Sequence, residues 1–63
     1  MINVNGKETE NCKSLSVLLE NRGFRRDRIA VEINGEIIKK SGYDKTVLND
    51  GDKIEVVSFV GGG

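Results

Sequence analysis

The sequence predicts an α+β domain: a mixed sheet of four to five strands with one short helix packed on one face. Three observations predict it. Asn-Gly occurs twice, at Asn5-Gly6 and Asn34-Gly35, and this dipeptide suits the positive φ angles of a type I′ hairpin turn. Between the hairpins, Leu15, Leu18 and Leu19 fall at i, i+3 and i+4, the apolar stripe of a helix. The chain then closes on Ile54-Glu55-Val56-Val57-Ser58-Phe59-Val60, the longest and most apolar strand candidate.

Ile2 and Val4 alternate with Asn3 and Asn5, which is a strand with one buried face. After the first turn, a polar strand over about Lys7–Glu10 belongs on a solvated edge. Ser14 is placed to cap a helix by accepting from a first-turn N–H. Gly23 is placed to end it as a C′ glycine, with Phe24 folding back onto the core. Such a helix is about two turns long and needs a sheet to lie against. Val17 falls off the apolar stripe and is expected to be exposed.

Arg25–Arg28 reads as a charged connector; the alternative for the cluster Arg22, Arg25, Arg26 and Arg28 is a dock for an acidic partner surface. Ile29, Val31 and Ile33 then mark a third strand, and Glu36-Ile37-Ile38 begins its return after the second turn. Lys39–Lys45, with Gly42 and Tyr43, reads as a polar surface loop, followed by a short apolar anchor at Thr46-Val47-Leu48. Asn49-Asp50-Gly51-Asp52 is a dense turn cluster. A helix between two hairpins requires a mixed sheet with the helix across one face. The apolar last strand belongs in its middle, beside the first. That arrangement is the β-grasp architecture of ubiquitin.

Composition narrows the chemistry. At 63 residues the chain is one small domain, of a size that buries only about 60% of its unfolded surface. Cys12 is the lone cysteine and there is no histidine, so neither an internal disulfide nor a Cys/His zinc site can be built. A lone cysteine fits a reducing cytoplasm. Ten basic residues balance ten acidic ones, which argues against a nucleic-acid partner. The N-terminal residues lack a signal-peptide pattern. No apolar run approaches the roughly 20 residues of a membrane span.

The last residues carry the functional signal. The apolar strand passes without a spacer into Gly61-Gly62-Gly63, so residues 1–60 are expected to form the domain and 61–63 a flexible tail. Glycine is the thinnest residue and the least restricted, and three extended residues reach roughly 10 Å. The expected outcome is an α-carboxylate on a narrow leash that can enter another protein's active site. If Ile54 and Val56 face the helix, alternation sends Val57 and Phe59 to the other face. An apolar pair exposed beside the tail would suit a partner-binding patch. Cys12, with no base close in sequence, reads as a small hydrophobe rather than a sulfur relay.

Across essentially its whole length the chain resembles the ThiS family of sulfur carriers in thiamine biosynthesis. The resemblance rests on the N-terminal hairpin, the Ser14-Leu15 helix start with Leu18-Leu19, and Ile29-Ala30-Val31-Glu32-Ile33-Asn34-Gly35-Glu36. It rests also on Asn49-Asp50-Gly51-Asp52-Lys53-Ile54-Glu55-Val56-Val57 and the terminal glycines. One departure is Ile38-Lys39-Lys40-Ser41, where relatives commonly carry a proline-arginine pair. The resemblance implies that a ThiF-type enzyme adenylates the Gly63 carboxylate with ATP, while the carrier itself binds no cofactor. A sulfur donor protein then supplies the sulfur of a thiocarboxylate, and a ThiG-type thiazole synthase receives it. Gly61 and Gly62 would give clearance and reach, and the carrier would hold no catalytic residue. Two other readings fit the same residues: a MoaD-like carrier for molybdopterin or cysteine synthesis, and a ubiquitin-like docking domain without terminal chemistry.

Overall fold

A computed structural model describes residues 1–59. The expected tail, and Val60 as the end of the last strand, lie outside the described residues. Strands β1 (Ile2–Val4) and β2 (Lys7–Thr9) precede helix α1 (Leu15–Asn21), and β3 (Ile29–Ile33) and β4 (Glu36–Ile38) precede β5 (Lys53–Ser58). The sheet order is β2-β1-β5-β3-β4. β5 runs parallel to β1 and antiparallel to β3, so the sheet is mixed and the last strand is central. This is the ubiquitin-like β-grasp, with five strands.

Both turns adopt the geometry their residues require. Asn5 and Gly6 have φ of 50° and 87°, and Asn34 and Gly35 have 54° and 86°. Helix α1 begins at Ser14, whose hydroxyl accepts the Val17 N–H at 3.4 Å. It ends in a Schellman motif: Phe24 N–H donates to the Leu19 carbonyl at 3.0 Å and Gly23 N–H to the Glu20 carbonyl at 3.1 Å. Gly23 supplies the left-handed conformation that closure needs, at φ 73°. Phe24, just beyond, packs against the core.

One face of the sheet is dry. Ile2, Val4, Ile29, Val31, Ile33, Ile54 and Val56 meet Leu15, Leu18 and Leu19 there. Each such side chain contributes about 1.5–3 kcal/mol by leaving water, which is how a short helix without staples is held. Val17 points outward, as its place off the stripe requires.

The stretch read as a surface loop is different. Lys40–Lys45 winds into a 3-10 helix packed against α1, and Tyr43 is 2% exposed, the largest fully buried side chain. Its polar neighbours hid it: one aromatic among Lys, Ser, Gly and Asp has no periodicity to reveal it. The next segment is also only half as expected, because Leu48 is buried while Val47 is exposed. Ser14 and Val47 form a bridge, with Leu15 N–H donating to Thr46 and Leu48 N–H to Lys13. Alternation about that bridge turns Leu48 inward and Val47 out.

Candidate functional site

Gly61, Gly62 and Gly63 lie outside the described residues; what the structure describes is the platform that leads to them. β5 is hydrogen-bonded on both sides, yet β1 and β3 are too short to cover it alone. Two turn asparagines finish the job. The Asn5 Oδ1 accepts the Val56 N–H at 2.8 Å, and its Nδ2 donates to the Val56 carbonyl at 3.3 Å. On the other side, the Asn34 Oδ1 accepts the Lys53 N–H at 2.9 Å, and its Nδ2 donates to Asp52 at 2.9 Å. Sequence reading assigns these asparagines to turn geometry. Their side-chain reach depends on which strand lies alongside, which local sequence does not state.

Antiparallel pairing with β3 runs to Ser58, opposite Ile29, and one further backbone bond reaches the 3-10 turn Arg26–Arg28 that precedes β3. Phe59 N–H donates to the Arg28 carbonyl at 2.7 Å. The central strand is thus braced on its β3 side as far as Phe59.

The face opposite the helix is open to solvent. Val57 is 60% exposed and Phe59 53%. In the β3–β5 register Ala30 stands directly opposite Val57. Ile37, 74% exposed, extends the apolar surface onto β4. Alternation could have found it, because Ile37 and Ile38 are adjacent in one strand and cannot both face inward. Asn5, Ala30, Glu32, Ile37, Glu55 and Val57 line a shallow groove of about 370 Å³ on this face. Glu32 and Glu55 are register partners within it, a like-charge juxtaposition that costs stability in a sheet.

The basic connector divides into unequal parts. Arg26 Nη2 sits 2.7 Å from Asp44 Oδ1. That bond holds the Asp44 carboxyl below its usual range and raises the Arg26 guanidinium further above its own. Arg26 thus ties the connector to the 3-10 segment beneath it. Arg28 has no ion pair among the described residues. Cys12 lines a separate hollow with Met1, Glu10, Asn11 and Asp50, and its thiol donates to the Ser14 carbonyl at 3.5 Å. It is not on the open face. Among the described residues no cluster of His, Cys, Asp or Glu could hold a metal ion, and no helix is long and apolar enough to cross a membrane.

Known proteins match the chain over nearly its full length. Residues 2–63 match the model of the ThiS family. The sulfur carrier protein ThiS of Bacillus subtilis is 39% identical over 66 aligned positions, covering all of both chains. A thiazole synthase of Paramagnetospirillum magneticum is 45% identical over 62 residues, which is 95% of this chain but only 19% of that protein's length. The crystal structure of the thiamine biosynthesis protein ThiS of Geobacter metallireducens superposes with a TM-score of 0.80 at 33% identity, covering 98% of this chain and 97% of that one.

Proposed function

This chain belongs to the ThiS family, and from that premise we propose that it is a sulfur carrier of thiamine biosynthesis reacting at the Gly63 carboxylate. The observation that carries the reading is the match through residue 63, joined to a central strand braced as far as Phe59, after which the sequence runs Val60-Gly61-Gly62-Gly63. Support also comes from the relative whose sequence is a sulfur carrier over its whole length.

A carboxylate is a poor electrophile because its charge is delocalised and its leaving group would be oxide. A ThiF-type partner overcomes this by joining the carboxylate to AMP from ATP, with release of pyrophosphate. A sulfur nucleophile then attacks the acyl carbon and expels AMP. Sulfide would give the thiocarboxylate directly; a donor protein's persulfide would give an acyl disulfide that a thiol then reduces. Gly61 and Gly62 let the chain end enter a channel too narrow for side chains. The exposed pair Val57 and Phe59 forms the docking surface at the tail's base. The chain acts in the cytoplasm as a cosubstrate, not as an enzyme. A thiazole synthase containing a stretch 45% identical to this chain supports thiazole synthase as the acceptor of the sulfur.

The deciding experiment is intact-mass analysis after incubation with ATP, a ThiF-type enzyme and sulfide. Replacement of one terminal oxygen by sulfur is expected. A variant with one residue added after Gly63 should stay unmodified; modification of both chains, or of neither, would overturn the reading. Loss of neither fold nor partner binding in an unreactive chain would indicate a docking domain instead.

A further inference from the structure

We propose that Arg28 grips a carboxylate on the rim of the partner site that admits the tail, and so orients docking; this rests on the carrier reading above. The 2.7 Å bond from Phe59 N–H to the Arg28 carbonyl sets Arg28, the last residue of the 3-10 turn Arg26–Arg28, beside Phe59 and just past the last β3–β5 pair, Ile29 and Ser58. Arg28 is therefore the backbone partner of an exposed aromatic residue that precedes Val60-Gly61-Gly62-Gly63 in the sequence. Its neighbours are differently engaged: Arg26 is held by Asp44 at 2.7 Å, and Arg25 stands 4.0 Å from Asp27. Arg28 is exposed and has no ion pair among the described residues.

Arginine beside an aromatic residue is the composition of an interface anchor. Distance decides which anion it meets. Four residues follow Phe59, and drawn out in a channel they would carry the Gly63 carboxyl roughly 13 Å away. That is beyond an arginine side chain, so Arg28 cannot serve the phosphates at the reacting end. It faces the mouth of the channel, where a protein carboxylate can take its planar fork through two parallel hydrogen bonds. The register pair Glu32 and Glu55 adds a constraint. A uniformly acidic partner would be repelled in mid-face, so the carboxylate is confined to the tail end of the contact.

The test is pyrophosphate exchange catalysed by the ThiF-type adenylating enzyme of the same genome, with the full chain as variable substrate. Arg28→Glu is expected to raise KM for the carrier about tenfold and leave kcat within about twofold, because a rim charge acts on encounter rather than chemistry. Arg28→Gln should raise KM by about threefold and flatten the salt dependence that the unaltered chain shows. Lys7→Glu, an exposed charge on the far edge strand, serves as control and should leave KM unchanged. A KM for Arg28→Glu no higher than that of the control overturns the role of Arg28, as does an effect on kcat alone. If Arg28→Glu unfolds, Arg28→Gln decides by the same criteria, with its urea midpoint matched to the unaltered chain. No exchange with the unaltered chain would sink the carrier reading and this inference with it; normal exchange with an indifferent Arg28 would sink only the inference.

Discussion

The carboxamide of Asn5 pairs with both peptide groups of Val56, accepting its N–H at 2.8 Å and donating to its carbonyl at 3.3 Å. A side chain thereby substitutes for the next residue of β1, which ends at Val4. Asn5→Gly tolerates the φ of 50° but deletes the pairing, so it separates the side-chain bonds from backbone strain. A loss of about 1–2 kcal/mol is expected for the two bonds, with faster amide exchange at Val56. An unchanged urea midpoint and unchanged exchange would show that the pairing contributes nothing.

Gly62→Val should prevent thiocarboxylate formation while the domain remains folded, because a branched side chain cannot follow a channel shaped for glycine. The check is intact mass alongside circular dichroism. Normal conversion of this variant would rule out a narrow channel.

Phe59→Asp should weaken docking to the adenylating enzyme more than it weakens the fold. Phe59 is 53% exposed, and substitutions at such sites usually change stability by no more than about 0.5 kcal/mol. A loss of several kcal/mol would instead place Phe59 in the core.

Tyr43 links stability to alkaline pH. Burial raises its phenol above the ordinary value of 10.0, with the nearby Arg26 charge opposing in the smaller sense. In the unfolded chain the phenol ionises near pH 10, while the folded chain still holds its proton. The stabilisation is therefore fully present below pH 10 and is lost as pH rises through the folded-state pKa. As the only tyrosine, in a chain without tryptophan, it can be followed by phenolate absorbance. Titration should be displaced upward in the native state and restored in urea. Tyr43→Phe should remove this part of the alkaline loss, and an identical slope in both proteins would exclude the linkage. Tyr43→Ala should cost about 3–5 kcal/mol by leaving a cavity.

The legible parts of the fold were those with strong local causes. Asn5-Gly6 and Asn34-Gly35 announce their turns because few residues accept positive φ. Ser14 and Gly23 announce the helix ends because capping is local chemistry. Ile29, Val31 and Ile33 announce a buried face because strand alternation has only one period. Tyr43 is not legible for the opposite reason: its burial depends on packing against helix α1, and nothing in Lys40–Lys45 encodes that contact.

The chain order of apolar and turn residues was by itself enough to determine a central last strand running into three glycines. Only tertiary structure decided what stands beside that strand. Asn5 and Asn34 brace it, Arg28 meets Phe59 at its end, and Glu32 faces Glu55 across the open sheet. The physical reason is range: turn, cap and alternation preferences act within a few residues, whereas these partners are brought together by strand register across the length of the chain.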